Sequence, residues 1–376
     1  MRVDFVPSSG PTLGVEWELA LVDAHSLELV PRAQRLLDAV DDPKRGPIRQ
    51  EYLTNMIELV TGVHHRVDEA MDDLRESLQR VRAIAGDDTL LLGAGVHPRS
   101  PAHDQHHFDT PRYHVVAERN AYWGRLMSIF GTHVHVGIDH RDKALPITYG
   151  LARFSPYFIA LTASSPYWEG EDTGYASHRT MLFQQMPTNG LPYPLDSWDE
   201  FAHYASELEE AGMITVPSEI RWDVRPSTFG TVENRVLDSV PTFAELGAMA
   251  ALAQCLATYM SRELDDGRGI ARLPMWFMKE NKWRAARYGL DTDVVTPRVG
   301  QKVRPMREGI MDWLNRLETI AAELHCADEL GFIAELLEHG PSYLRQRAAG
   351  GPSAALRQLV AETGAERPSW PLPFSP

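Results

Sequence analysis

Cysteine is nearly absent from this 376-residue chain, with Cys255 and Cys326 its only two. Thiols this far apart supply neither a disulfide framework nor the paired spacing of a zinc site. Cys255 falls in the apolar stretch AMAALAQCLATYM and reads as a small core residue. Positive charge is also scarce. There are 37 Lys and Arg against 52 Asp and Glu, a formal net charge of −15, which would be repelled by nucleic acid and by anionic membranes. Neither is expected as a partner. No uninterrupted apolar run reaches the roughly 20 residues of a membrane span. The N-terminal MRVDFVPSSGPTLGVEWE lacks the apolar core of a signal peptide, so a cytoplasmic protein is expected. No GxxxxGK[ST] loop and no kinase-type glycine-rich loop occurs, so a nucleotide would have to be held without an amide cradle.

What is present supports a large folded core: 43% of residues are hydrophobic. No internal repeat and no break in composition divides the chain, so one domain over 1–376 is expected, with a Pro-rich tail at 366–376. Residues 13–22 alternate, with Leu13, Val15, Trp17, Leu19 and Leu21 on one face and Glu16 and Glu18 on the other, the pattern of a half-buried strand. Further strands are expected at 56–61, 90–98, 129–138, 220–225 and 231–237, and a short helix from Pro31. Apolar residues at the helical period mark 67–84, and helices are also expected at 145–163, 198–211 and 242–264, with two or three more in 306–348. The stretch from 265 to about 305 reads as a polar loop. Strands in hairpin-like groups favour an α+β fold on an antiparallel sheet over a doubly wound one.

Glu16 and Glu18 project from the same strand face with Cα atoms roughly 6.5–7 Å apart. Their charges repel unless a cation or protons intervene, although a strand face that simply meets water is the plainer reading. FGTHVHVGI places His133 and His135 on one face between Gly131 and Gly137, which suggests close approach of a ligand or another backbone. In WDVRPSTFGTVENRVLD, Asp223 and Arg225 share a face, as do Thr231, Glu233 and Arg235. These pairs are either cross-strand salt bridges or a site in which Glu233 holds a metal and Arg235 meets a phosphoryl oxygen. Oxygen ligands with a little nitrogen and no thiolate favour magnesium or manganese over zinc. The net negative charge reads the same way, as partly a cation site and mostly a solvated surface. His97, His103, His106 and His107 in HPRSPAHDQHHF read as a polar loop, while Trp283, Arg284 and Arg287 either clamp a nucleotide or brace a loop.

At these residues the sequence resembles the type 2 glutamate–cysteine ligase family of carboxylate–amine ligases, in the glutamine synthetase-like superfamily. The stretches that carry the resemblance are GVEWELALVD, NMIELVTGV, FGTHVHVGI, SSPYWEGEDTGYASHRTMLF, WDVRPSTFGTVENRVLDS, NKWRAARYGLD and GPSYLRQRAAGG, in order along nearly the whole chain. The resemblance implies a curved antiparallel sheet whose concave face binds ATP and magnesium, with helices outside. It implies metal roles for Glu16, Glu18, Glu58, His133 and Glu233, and phosphate contact for Arg235. Glu51 falls where related ligases carry an acidic ligand, and Arg179 and Arg225 take the place of carboxylate or phosphate binders. Two departures, Trp17 inside the acidic triplet and Asn234 between Glu233 and Arg235, both fall on the opposite strand face.

The activity implied is ATP-dependent joining of a carboxylate, glutamate or similar, to an amine through an acyl phosphate, with Arg235 stabilising the moving phosphoryl charge. A homodimer is left open. Two rival classes stand beside it: a metal-dependent amide hydrolase built on the His-x-His strand, and a nucleotide-binding homologue without catalysis.

Overall fold

The alternation at 13–22 becomes strand β1, Leu13–Asp23, in a computed structural model that describes residues 3–297 and 302–370. Leu13, Val15, Trp17, Leu19 and Leu21 are all at most 1% exposed, which fixes the register of β1, since a one-residue slip would put that row in water. Six more strands join it: β2 Ile48–Gln50, β3 Met56–Val60, β4 Thr89–Leu92, β5 Gly131–Gly137, β6 Val224–Pro226 and β7 Thr231–Asp238. Their order is β6-β7-β5-β1-β3-β2, with β4 paired to the far end of β1. Every pairing is antiparallel. The fold is α+β, as expected.

Helices flank the sheet, and Val67–Ala85 and Phe243–Asp265 pack on the leucine face of β1. The first six are α1 Ala33–Leu37, α2 Val67–Ala85, α3 Pro111–Arg125, α4 Arg141–Ala152, α5 Ser155–Thr162 and α6 His178–Phe183. The rest are α7 Trp198–Glu210, α8 Phe243–Asp265, α9 Met275–Tyr288, α10 Met306–Glu323, α11 Ala327–His339, α12 Ser342–Ala348 and α13 Pro352–Ala365. The central helix is α8, started by Thr242, whose hydroxyl oxygen accepts from Glu245 N. It is long and apolar enough to cross a membrane, yet 89% of its most apolar stretch is buried among the other elements. The Trp17 ring meets Phe243 edge-on at 5.3 Å, and its Nε1 donates to the Val240 carbonyl at 3.0 Å, so the indole is both packed and satisfied.

Two expectations need correction, and two helices answer to none. The stretch 265–305 is not a loop throughout, because α9 and the hairpin Asp293–Val295/Val303–Pro305 occupy much of it; residues 298–301 lie outside the described residues. The run 220–225 is broken at Asp223, whose carboxylate turns to Lys282 Nζ at 2.7 and 2.9 Å instead of standing beside Arg225. Helices α3 and α13 were not foreseen at all. Cys255 and Cys326 are both buried free thiols, and helix packing brings their sulfur atoms to 3.7 Å. Of the tail, Trp370 stacks on Phe332 at 5.6 Å and donates to the Gly340 carbonyl, while 371–376 lie outside the described residues.

Candidate active site

Antiparallel pairing sets side chains of like orientation opposite one another, so the polar face of the sheet carries rows of charged groups. In one row, Arg225 lies opposite Glu233, Glu233 opposite His135, and His135 opposite Gly14. In the next, His133 lies opposite Glu16. In a third, Glu18 lies opposite Glu58 and Glu58 opposite Arg49. The register of β7 slips between Asn234 and Leu237. Arg235 sits in that bulge, with Nη1 on the Glu233 carboxylate and 3.5 Å from His133 Nδ1.

This face is not an open wet surface. Glu58 and Glu233 are 5% and 2% exposed, and the Glu16 and Glu18 side chains 20% and 12%. His133 Nδ1 is 2.7 Å from Glu16 and its Nε2 3.8 Å from Glu18, while His135 Nε2 is 3.3 Å from Glu16 and 4.0 Å from Glu233. Arg225 donates from Nε to Glu233 at 2.7 Å and from Nη1 to the Ser218 and Ile220 carbonyls. Gly131 serves close approach, since a Cβ there would collide with the Arg179 guanidinium.

The electrostatics divide the carboxylates into two sets. Burial raises Glu233, but Arg225 and Arg235 outweigh it and hold the group well below its usual range. Burial likewise raises Glu16, and hydrogen bonds with His133 and His135 bring it well below. Glu18 is pushed up to about 7, first by burial and then by repulsion from Glu51. Burial also raises Glu51, and Glu58 goes well above its usual range through burial plus repulsion from Glu16, Glu51 and Glu18. His133 is driven down to about 4 by burial and by Arg235, so it is neutral at pH 7. Two groups have ligand atoms within 4.8 Å of one another, Glu16–His133–Glu233 and Glu18–Glu58–His133. They share one imidazole.

The profile of glutamate–cysteine ligase family 2 matches residues 12–360, which include all of these rows. The chain belongs to that family. A protein of Paenarthrobacter aurescens (strain TC1), provisionally named glutamate–cysteine ligase 2-2, is 45% identical over 357 residues, covering 92% of this chain and 93% of its own. One of Mycobacterium sp. (strain JLS), provisionally named glutamate–cysteine ligase 2-1, is 45% identical over 368 residues, 96% of this chain and 97% of its own. Among solved structures, the glutamate–cysteine ligase of Francisella tularensis in complex with AMP matches with a TM-score of 0.70 at 13% identity, over 99% of this chain and 91% of that one. The bifunctional glutathione synthetase of Pasteurella multocida matches with a TM-score of 0.63 at 14% identity, over 95% of this chain and 52% of that one. At such identities these two likenesses speak for the fold.

Of the residues singled out in this family member, Glu16, Glu18, Glu58, His133, Glu233, Arg225 and Arg235 share the rows just described. Arg179 reaches them from α6, lying beside Glu18 and Asp238, with Nη2 3.4 Å from the Arg235 carbonyl. The Glu51 carboxylate accepts from Tyr52 N at 3.0 Å and acts on Glu18 by its charge. Arg287 lies elsewhere, donating to the Gly174 carbonyl and stacking on Tyr175 and Tyr288. Trp283 is 38% exposed and lines a cleft of about 610 Å³ with Tyr193, Trp222, Lys279 and Lys282. The His-rich loop is structural at His97, whose Nδ1 accepts from Arg99 N and Ser100 N.

Sequence reading missed Arg221. Burial pushes its guanidinium down to about 10, with Arg235, Arg112 and Arg225 adding repulsion and Glu219 opposing it, and no ion pair to a carboxylate is formed among the described residues. Its place in RWDVR, one strand alternation before Asp223 and two before Arg225, was the available signal.

Proposed function

We propose that this chain is an ATP-dependent carboxylate–amine ligase of the glutamate–cysteine ligase type, acting as one catalytic domain over 1–376 in a cytoplasmic setting. The observation that carries the reading is the buried pair of carboxylate groups sharing His133, with Arg235 and Arg225 on Glu233. Clustered carboxylates in a buried site repel one another, and a divalent cation relieves that repulsion. The donor set therefore fits magnesium or manganese, for which oxygen ligands are preferred. Glu16, Glu18, Glu58, His133 and Glu233, with Glu51 beside them, would hold the metal, whose charge would neutralise the triphosphate of ATP. The ionised Glu16 accepts a hydrogen bond from His133 Nδ1–H, leaving Nε2 free on the Glu18 side.

The chain's own residues supply the rest. Arg225 has its donors committed to Glu233 and two carbonyls, so its part is to fix the Glu233 carboxylate. Arg235 presents a permanently charged fork to the γ-phosphoryl group in transit. The substrate γ-carboxylate oxygen bonds to phosphorus as the bond to the ADP oxygen breaks, giving an acyl phosphate. The amine nitrogen then attacks the acyl carbon, inorganic phosphate leaves, and the nitrogen loses a proton. Arg179, whose Nε has no partner among the described residues, is placed to meet a substrate carboxylate or phosphate. The Trp283 cleft offers an aromatic wall for the nucleotide base.

The test is release of phosphate from ATP with glutamate and a panel of amines, cysteine included. ADP and an amide are the expected products. AMP with pyrophosphate, or amide hydrolysis without ATP, overturns the reading.

A further inference from the structure

On the helical side of the sheet, a cavity of about 270 Å³ opens among the end of α4, α5, α8, α9 and α10. Its walls include Phe154, Tyr157, Tyr259 and Trp313, and among the described residues its charges do not balance. Asp312 is paired with Arg304, and Glu263 with Arg268 at 2.7 Å. Arg153 and Arg316 have no such partner among the described residues. Both guanidiniums lie over the single ring of Trp313, at 5.9 and 5.2 Å from its centroid, and Arg153 also lies over Phe154 at 4.7 Å.

Two like charges over one ring disfavour each other, and an aromatic face attracts a cation without neutralising it. Burial pushes the Arg153 guanidinium down to about 10, the mark of a cation lacking a counter-charge. A general surplus of positive charge does not explain the arrangement, because the chain carries a net −15. A carboxylate between the two forks would satisfy both through charge-assisted hydrogen bonds. Phe154 and Tyr259 pack edge-on against Trp313 at 4.7 and 5.4 Å, and Tyr157 against Phe154 at 5.8 Å, so the rings form an aromatic wall beside it; a dry cavity of about 150 Å³ already holds a benzene ring.

We propose that this cavity is a binding site for a small aromatic carboxylate, seated between Arg153 and Arg316 with its ring among Trp313, Phe154, Tyr157 and Tyr259. The site is separate from the acidic rows. Asn281 lines the cavity from α9, whereas the next residue, Lys282, holds Asp223. The proposal does not depend on the ligase reading, since binding alone is measured.

Isothermal titration calorimetry of the full chain with benzoate as the probe tests it. One saturable site is expected, and saturating magnesium–ATP should leave it unchanged. Arg153→Gln and Arg316→Gln should each weaken binding by about 10-fold or more, as loss of a charge-assisted hydrogen bond implies. Benzamide and inorganic phosphate should not saturate over the same concentration range. Because Arg316 is exposed, Arg316→Gln keeps the test decisive even if Arg153→Gln fails to fold. Absence of saturable benzoate binding overturns the proposal. So do undiminished binding in Arg316→Gln, equal binding of benzamide or phosphate, and competition by magnesium–ATP.

Discussion

Replacing Glu18 by glutamine removes a charge from the most repulsive part of the acidic face while keeping the shape of the side chain. In the metal-free protein Glu18 is raised from 4.5 to about 7, by burial first and by Glu51 second. Each pKa unit is worth about 1.36 kcal/mol, so the ionised group costs the fold about 3 kcal/mol. A group whose folded pKa lies above its unfolded value favours folding below the unfolded pKa and loses that contribution as pH rises through the folded one. The cost is thus nearly complete at pH 8 and vanishes toward pH 4.5. Glutamine carries no such cost, and its carbonyl can still accept from Gly131 N. Unfolding entropy of about 0.8 kcal/mol/K for a chain of 376 residues turns 3 kcal/mol into a rise of about 4 °C in Tm at pH 8. Wild type should also gain about 3 °C from magnesium–ATP at 100 times its Kd, and the variant much less, because a proposed ligand of the metal is gone. Thermal melts at pH 5 and pH 8, with and without magnesium–ATP, beside a turnover assay, measure all of this. A variant that melts below wild type at pH 8, retains the full magnesium–ATP shift and keeps its turnover would refute the reasoning.

Three further outcomes are expected. Arg235→Lys should lose about 10²-fold or more in kcat, because a compact ammonium does not reproduce a two-pronged contact; near-normal kcat would make Arg235 structural. Magnesium binding should release protons and weaken as pH falls from 8 to 6, since Glu18 is raised to about 7 and burial with repulsion from three neighbouring carboxylates raises Glu58 well above its usual range. Calorimetry in buffers of different ionisation enthalpy checks this, and a pH-independent affinity with no proton release refutes it. Arg345→Met should destabilise by about 3–5 kcal/mol, roughly 4–6 °C in Tm, by stranding Glu245 and Glu362 without their cation, while the folded protein below its Tm keeps its turnover.

The parts of this structure that were legible in the sequence are those whose partners lie along one strand. Burial of Leu13 through Leu21 imposes the two-residue period of β1, and that period alone puts Glu16 and Glu18 on one face. Their meeting with Glu58, His133 and Glu233 depends on strand register, which the resemblance implied and periodicity could not supply. Helix α9 was hidden for a physical reason. Its buried face includes Asn281 and Lys282, polar residues satisfied by Val295 and by Asp223 far away in the chain, so no apolar stripe announces it. Asp223 was misread for the same cause, because its strand partner was sought where its counter-ion was not. The cysteines show the reverse, 71 residues apart in sequence and in contact through the packing of α8 beside the start of α11.

The molecule buries carboxylates in two ways, and the difference separates scaffold from site. Glu245 and Glu362 surround Arg345, whose Nε and Nη2 donate to them at 2.9 Å while Nη1 meets the Gly340 carbonyl, and Thr242 and Ser369 fill further acceptor positions. That cluster carries its own cation and is complete without any ligand, so the GPSYLRQRAAGG segment that contains Arg345 is a brace between α8, α12 and α13. Glu18, Glu51 and Glu58 are arranged otherwise. Arg49, opposite Glu58 in register, donates to the Gly46 and Arg45 carbonyls, and the charges that act most strongly on Glu58 are those of other carboxylates. A fold that closes one acidic cluster so fully has the means to close another. Leaving this one open toward Arg179 and Arg235 is a cost that structure alone does not explain, and the proposed cation, arriving with a phosphorylated substrate, would offset it.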